Sequence, residues 1–390
     1  MAMPPPLAGV VCLAAASRLL VLALSLLARL LFRPYDTSAS LQPSCLRSPS
    51  PLSSPFTNLS AAISSLAVWD GVHFARAAEC GYEYEQSFAF LPLLPASVAL
   101  LTRSLFAPLV PVLGYRAVLV ISGYVLNNIA FVAAAAYFYR LSVLILKDQK
   151  AAYRASVLFC FNPASVFYSS LYSESLYALF SLGGVFYLFS GANTVAMIML
   201  ALSGSARSNG ALNAGYFCFQ ALLQTYDSVI QKKRPLGSWF LEILSSEAAA
   251  QLSFGFTYVA TVLKSEHSAG PTNKAQGQPE VKQRKSAAAE MVSASVSDSR
   301  NLIGNLSECS ILYLPFVLHL AFMTVMAFFV MHVQVSTRFL SASPPIYWAA
   351  SHILGSPSHS SKRWSNLIYA YFTAYILLGS LLFSNFYPFT

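Results

Sequence analysis

The sequence predicts an all-α polytopic membrane protein, and three observations carry that prediction. The 390 residues are 56% hydrophobic and 10% charged, whereas an ordinary soluble domain carries roughly 25% charged residues. Mean hydropathy is +0.56. Several apolar runs, Ala8 to Phe32, Ala117 to Leu146 and Ile311 to Val335, approach or exceed the roughly 20 residues with which a helix crosses a bilayer. Interspersed Pro, Gly and Ser argue against the short alternating strands of a β-barrel. About eight to ten membrane segments are expected, in a single membrane domain over residues 1–390 with no separate globular domain.

The net charge of +9 does not point to nucleic acid. Its basic residues flank apolar runs, as Arg29, Arg33, Arg140, Lys147, Lys150 and Arg154 do, or fall in one polar stretch. The six cysteines are scattered, with no CxxC pair and no His at zinc-ligand spacing, so no metal site is expected. Cys45 and Cys80 are free to pair if their loop faces an oxidising lumen. VCLAAAS resembles a signal cleavage site, but no basic region precedes it and the apolar run continues, so an uncleaved first membrane helix is expected.

In chain order, Pro34 to Ser65 is rich in Ser and Pro and holds the sequon Asn58-Leu59-Ser60, which reads as a loop. Residues 33–87 form the first large loop, lumenal if that sequon is used. A short amphipathic segment, Leu66 to Ala78, leads into a polar island, and Phe88 to Phe106 reads as the next membrane helix. Ser156 to Phe189 is too long for one span and is interrupted by FNPASVFYSSLYSES; such breaks are tolerated only where they are buried in protein or line a cavity. Thr194 to Ser205 is apolar but short. Residues 266–305 have too little apolar content to fold alone and read as a disordered polar loop. Ile311 to Val335 and Leu367 to Phe383 close the chain, with a polar connection over Ser341 to His359 between them.

Asp and Glu total only 15, so where they cluster is informative. In VWDGVHFARAAECGYEYEQSFAFLPLLP, Asp70 follows Trp69 near the membrane surface. It is a candidate general base if partly desolvated, or simply the N-cap of a helix starting at Gly71. His73 and Arg76 follow at helical-turn spacing and share a face with Asp70 if that helix forms. Glu79 and Glu83 fit the rim of such a site. Glu85 stands before the apolar FAFLPLLP, where Tyr82 and Tyr84 suit an aromatic belt. Glu174 is an ionisable group amid apolar sequence, which fits a cavity or a first-turn helix acid. Arg207, in SARSNG beside Asn209, and Arg338, after MHVQVST, each suit either a lipid-phosphate clamp or a membrane-edge anchor. His332 fits a packed or interfacial histidine better than a ligand.

Five stretches, WDGVHFARAAECGYEYEQSFAFLPLLP, CFNPASVFYSSLYSESLYALF, SARSNG, MHVQVSTRFLSASPPIYW and YILLGSLLFSNFYPFT, stand in an order that resembles the class V phosphatidylinositol-glycan mannosyltransferases, the GPI mannosyltransferase 2 family, in a plant-like form. The resemblance covers about Ser17 to Tyr226 and Phe316 to Thr390. It implies a GT-C-type glycosyltransferase bundle in the endoplasmic reticulum membrane with a lumenal active site. The implied reaction moves the second mannose, α1,6-linked, from dolichyl-phosphate mannose to the GPI precursor, with Asp70 as the catalytic base. It also implies a metal-independent mechanism, no cofactor beyond the lipid-linked donor, and room for a small accessory membrane subunit. Trp69, His73, Glu85, Glu174, Arg207, Asn209 and Arg338 are the implied substrate-contacting set. The resemblance lapses over Tyr226 to Glu308, which implies an altered or truncated central region and, at the extreme, an inactive variant. Two alternatives are another enzyme using a polyprenyl-phosphate sugar, and a lipid or solute transporter. A transporter should show an internal repeat, which the sequence lacks.

Overall fold

The computed structural model describes residues 7–35, 56–226, 308–330 and 333–387, and these contain helices and no strands. The first helix, α1 (Leu7–Leu31), is 25 residues long and mostly Leu, Ala and Val, with Arg18 and Arg29 as its charges, about 37 Å at 1.5 Å per residue. After α2 (Thr57–Ser64), α3 (Asp70–Cys80) and α4 (Leu93–Arg103) comes a short helix, α5 (Val110–Leu113). The long α6 (Tyr115–Leu146) then forms the centre of the bundle and packs on α1, α4, α7 (Gln149–Cys160) and α9 (Glu174–Phe189).

Rings and small residues build the core around α6. Phe159 stacks on Phe138 at 4.7 Å and on Phe131 at 5.3 Å, and the edge of Tyr347 closes on Phe138 and Phe159 at 5.5 Å. Offset and edge-on pairs of this kind add about 0.5–1.5 kcal/mol each beyond area burial. Hydrogen bonds cross the bundle where hydrocarbon offers no alternative partner: Trp348 Nε1 donates to Ser142 Oγ at 2.8 Å, and Thr102 Oγ1 donates to Ser122 Oγ at 3.0 Å. α9 lies directly against α10 (Asn193–Ala206), and α11 (Ala214–Tyr226) follows.

Four helical stretches are long and apolar enough to cross a membrane among the described residues. They are α1, α6, the Leu312–Phe329 part of α12 (Glu308–Phe329), and α15 (His359–Ser384). A fifth is reached if the pair Leu93–Arg103 and Ala107–Leu113, bent by 69°, counts as one span. α9 and α10 are apolar but shorter, at 16 and 14 residues.

Several expectations are corrected. Of the expected Phe88 to Phe106 helix only Leu93 to Arg103 forms α4; the chain turns at Ser104, at φ −111° and ψ −88°, and Pro108 and Pro111 stand in the first turns of the short helices that follow. The Ile311 to Val335 run ends as a span at Phe329; Gln334, Ser336 and Arg338 make the next helix, α13 (Val333–Leu340), amphipathic. Ser341 to His359 is not a mere connection: Pro344 and Pro345 start α14 (Pro344–Gly355), which packs on α7. The Pro34 to Ser65 loop contains α2, tied down where Ser60 Oγ donates to the Leu113 carbonyl at 2.5 Å. The last helix starts at His359 rather than Leu367. The polar loop at 266–305, His332 and Cys45 lie outside the described residues.

Candidate active site

The interruption between α7 and α9 is where the chain departs furthest from a simple bundle. Only α8 (Ser165–Ser169) and tight turns fill it, and its residues from Asn162 to Glu174 are all buried. Backbone carbonyls freed at such depth need partners. Arg18 of α1, itself 2% exposed, donates to Cys160 O at 3.0 Å and Ser165 O at 2.8 Å. From α6, Asn127 Nδ2 donates to Ser170 O at 2.5 Å and Tyr172 O at 2.8 Å, and Asn128 Nδ2 donates to Ser169 O at 3.1 Å. The break is thereby fixed, and with it Tyr172 and Glu174.

Tyr172 meets the start of α3. The Asp70 backbone N–H donates to Tyr172 Oη at 2.9 Å, which satisfies one of the orphan donors at a helix N-terminus. The N-cap is Trp69, at φ 52° and ψ −129°, and no side chain caps the helix. Asp70 is therefore the first helical residue, and the capping reading of its carboxylate does not hold. A positive φ on a bulky residue stores about 1–3 kcal/mol and is concentrated at functional sites.

The Asp70 carboxylate instead reaches Arg338. Arg338 Nη1 lies 3.0 Å from Asp70 Oδ2, and Arg338 Nε lies 2.7 Å from Glu174 Oε1. Arg207 Nη1 pairs with the same Glu174 oxygen. Two carboxylates and two guanidiniums thus sum to zero charge. The Glu174 side chain is 2% exposed and that of Asp70 42% exposed, so Asp70 is partly desolvated and Glu174 almost fully. The Arg338 guanidinium also lies over Phe167 at 4.6 Å and Tyr172 at 4.7 Å. Burial alone would lower its pKa; Glu174, Tyr172 and Asp70 outweigh that and hold it above the ordinary arginine value, so it remains a cation.

Each arginine is presented by local structure. α13 lays Phe339 against Met323 and Ala327 of α12, and Ser341 Oγ donates to Arg338 O at 2.6 Å. After α10 the chain folds back so closely that a Cβ on Gly210 would lie 2.5 Å from the Ser203 backbone. Only glycine fits there, and the turn that it permits carries Arg207 and Asn209 inward. Asn209 is 6% exposed, and both its amide atoms, like Glu174 Oε2, are buried without a hydrogen-bond partner among the described residues.

The other nominated residues are drawn elsewhere. His73 stacks on Phe90 at 5.0 Å, and Arg76 pairs with Glu83 at 2.9 Å beside Tyr84. Glu79 is buried and Glu85 exposed. The Trp69 ring packs against Phe386 at 6.0 Å. Sequence reasoning missed Arg18, Tyr172 and Asn127. Arg18 carried a usable signal, a charge in the middle of an apolar membrane helix; Tyr172 and Asn127 carried none.

A rat relative, "GPI alpha-1,6-mannosyltransferase 2", is 36% identical over 156 residues, covering 40% of this chain and 32% of its own length. The human protein of that name is 34% identical over 178 residues, covering 46% and 36%. The chain thus spans only about a third of these mammalian relatives. A fly relative, "GPI mannosyltransferase 2" of Drosophila pseudoobscura pseudoobscura, is 27% identical over 394 residues, covering 84% of this chain and 87% of its own. The family described as "Mannosyltransferase (PIG-V)" matches residues 7–246 and 243–390, two pieces that meet inside the Tyr226 to Glu308 interval. The chain belongs to this PIG-V mannosyltransferase family.

Proposed function

We propose that this chain transfers the second, α1,6-linked mannose of the GPI anchor from dolichyl-phosphate mannose to the glycolipid precursor, as a GT-C-type enzyme of the endoplasmic reticulum membrane. The observation that carries this reading is the meeting of Asp70 with Arg338, from opposite ends of the chain, in a protein of the PIG-V family. In the proposed step Asp70 takes the proton of the acceptor hydroxyl as that oxygen bonds to the sugar's anomeric carbon. The bond from that carbon to the phosphate oxygen breaks, and the electron pair leaves with the lipid phosphate. Arg338, beside the base, and Arg207 steady the growing negative charge. The unmet Glu174 Oε2 and Asn209 amide are groups that sugar hydroxyls would satisfy.

A lumenal position for the loop is supported by Cys80, which is disulfide-bonded, a state that belongs to oxidising compartments. Asn58 of the sequon is exposed. The test is complementation of cells lacking the second GPI mannosyltransferase. Expression of this chain is expected to restore GPI-anchored proteins at the cell surface, and Asp70→Asn to abolish rescue at equal abundance. Accumulation of the one-mannose precursor despite well-folded parent protein would rule out the activity.

A further inference from the structure

Two cavities adjoin at Arg29, and none of Asp70, Glu174, Arg207 and Arg338 lines either. One, of about 210 Å³, is an apolar groove between α1 and α6, with Leu22, Leu26, Val120 and Val125 in its walls. The other, of about 390 Å³, is lined by Arg29, Arg116, Ser64 and Ser65, and no carboxylate lines it among the described residues. Arg29 Nη2 donates to the Ser65 carbonyl, while its Nε is buried with no hydrogen-bond partner among those residues. A carbon-walled groove that ends at two guanidiniums is complementary to a lipid with a phosphate head.

The proposed reaction brings two lipid phosphates to the protein. The donor's phosphate departs with growing charge and needs cations that face it, the role proposed for Arg338 and Arg207. The acceptor's phosphodiester does not react and needs only to be held. We propose that the groove and cavity at Arg29 bind the acceptor lipid, with its acyl chains along α1 and α6 and its phosphodiester on Arg29 and Arg116. Val72 and Phe386 line the polar cavity, and the Trp69 ring packs on Phe386. A glycan that starts there leads past Trp69 toward Asp70. The choice of acceptor over donor rests on the transferase reading; the lipid-phosphate site itself does not.

The full chain, placed in nanodiscs of phosphatidylcholine with a minor share of phosphatidylinositol, is assayed for retained lipid by native mass spectrometry. The expected result is enrichment of phosphatidylinositol, reduced about tenfold or more by Arg29→Gln through loss of a charge-assisted contact. Val125→Trp fills the groove without touching the charge and is expected to give a similar loss, so the test survives if Arg29→Gln does not fold. No enrichment over phosphatidylcholine, or retention in both variants as high as in the parent chain, overturns the site. Preferential retention of a polyprenyl monophosphate in a parallel nanodisc overturns its assignment to the acceptor. Binding is read without turnover, so a chain that retains phosphatidylinositol but transfers no mannose leaves the site standing and removes the transferase reading.

Discussion

Glu174 is the residue on which the charge cluster depends, because one of its oxygens holds both Arg207 and Arg338. Glu174→Gln leaves two largely buried guanidiniums short of a carboxylate. Removing one partner from a buried pair costs about 3–5 kcal/mol, so a clear fall in the thermal unfolding midpoint of purified protein is expected. Glu174→Gln with Arg207→Gln should cost less than the two single losses combined, since the paired groups are coupled; strict additivity would show that they do not act as a unit. Asp70, Glu174, Arg207 and Arg338 were each legible in the sequence, because ionisable groups are scarce there and costly in a membrane. Their pairing was not legible: Asp70 and Arg338 lie 268 positions apart, and nothing local in either segment names the other.

The short break between α7 and α9 is the element that sets the geometry. Leu171 is its wedge, seated over Gly123 of α6, where an added Cβ would lie 2.1 Å from Leu171 Cδ1. Only the flexible tip of Leu171 stands that close, the next atoms lying at 3.4 Å or beyond, so Gly123→Ala is expected to turn the Leu171 side chain and to lower mannose transfer only modestly while the protein stays abundant. A displacement of about 1 Å near reacting groups can cost 10²-fold; a fall of that size in Gly123→Ala would show that Leu171 cannot turn and passes the strain on to Tyr172. The break itself was legible from FNPASVFYSSLYSES, because a polar interruption inside an apolar run has few tolerable forms in a membrane. The residues that anchor it were not, since Asn127 and Asn128 look like ordinary helix residues until their amides are seen to meet freed carbonyls.

At the scale of the molecule, the helical membrane class followed directly from composition, while the spans did not. Hydropathy marks where a chain is apolar, but sharp bends, amphipathic ends and short buried helices decide how much of each run crosses. That is why Phe88 to Phe106 bends after Arg103 and why the Ile311 run gives way to α13. The same folding brings the segment after the first helix against a helix near the C-terminus, so that a candidate base meets one of the two arginines held by one buried carboxylate. The measurement that tests this arrangement most directly is steady-state transfer of labelled mannose by purified chain and its Asp70→Asn variant, with thermal stability read on both. Loss of a general base lowers turnover by about 10²–10⁴-fold, and the expected result is a fall of that size in kcat with the unfolding midpoint nearly unchanged. An Asp70→Asn enzyme that retains kcat within a few-fold of the parent would contradict the assignment of Asp70 as the base.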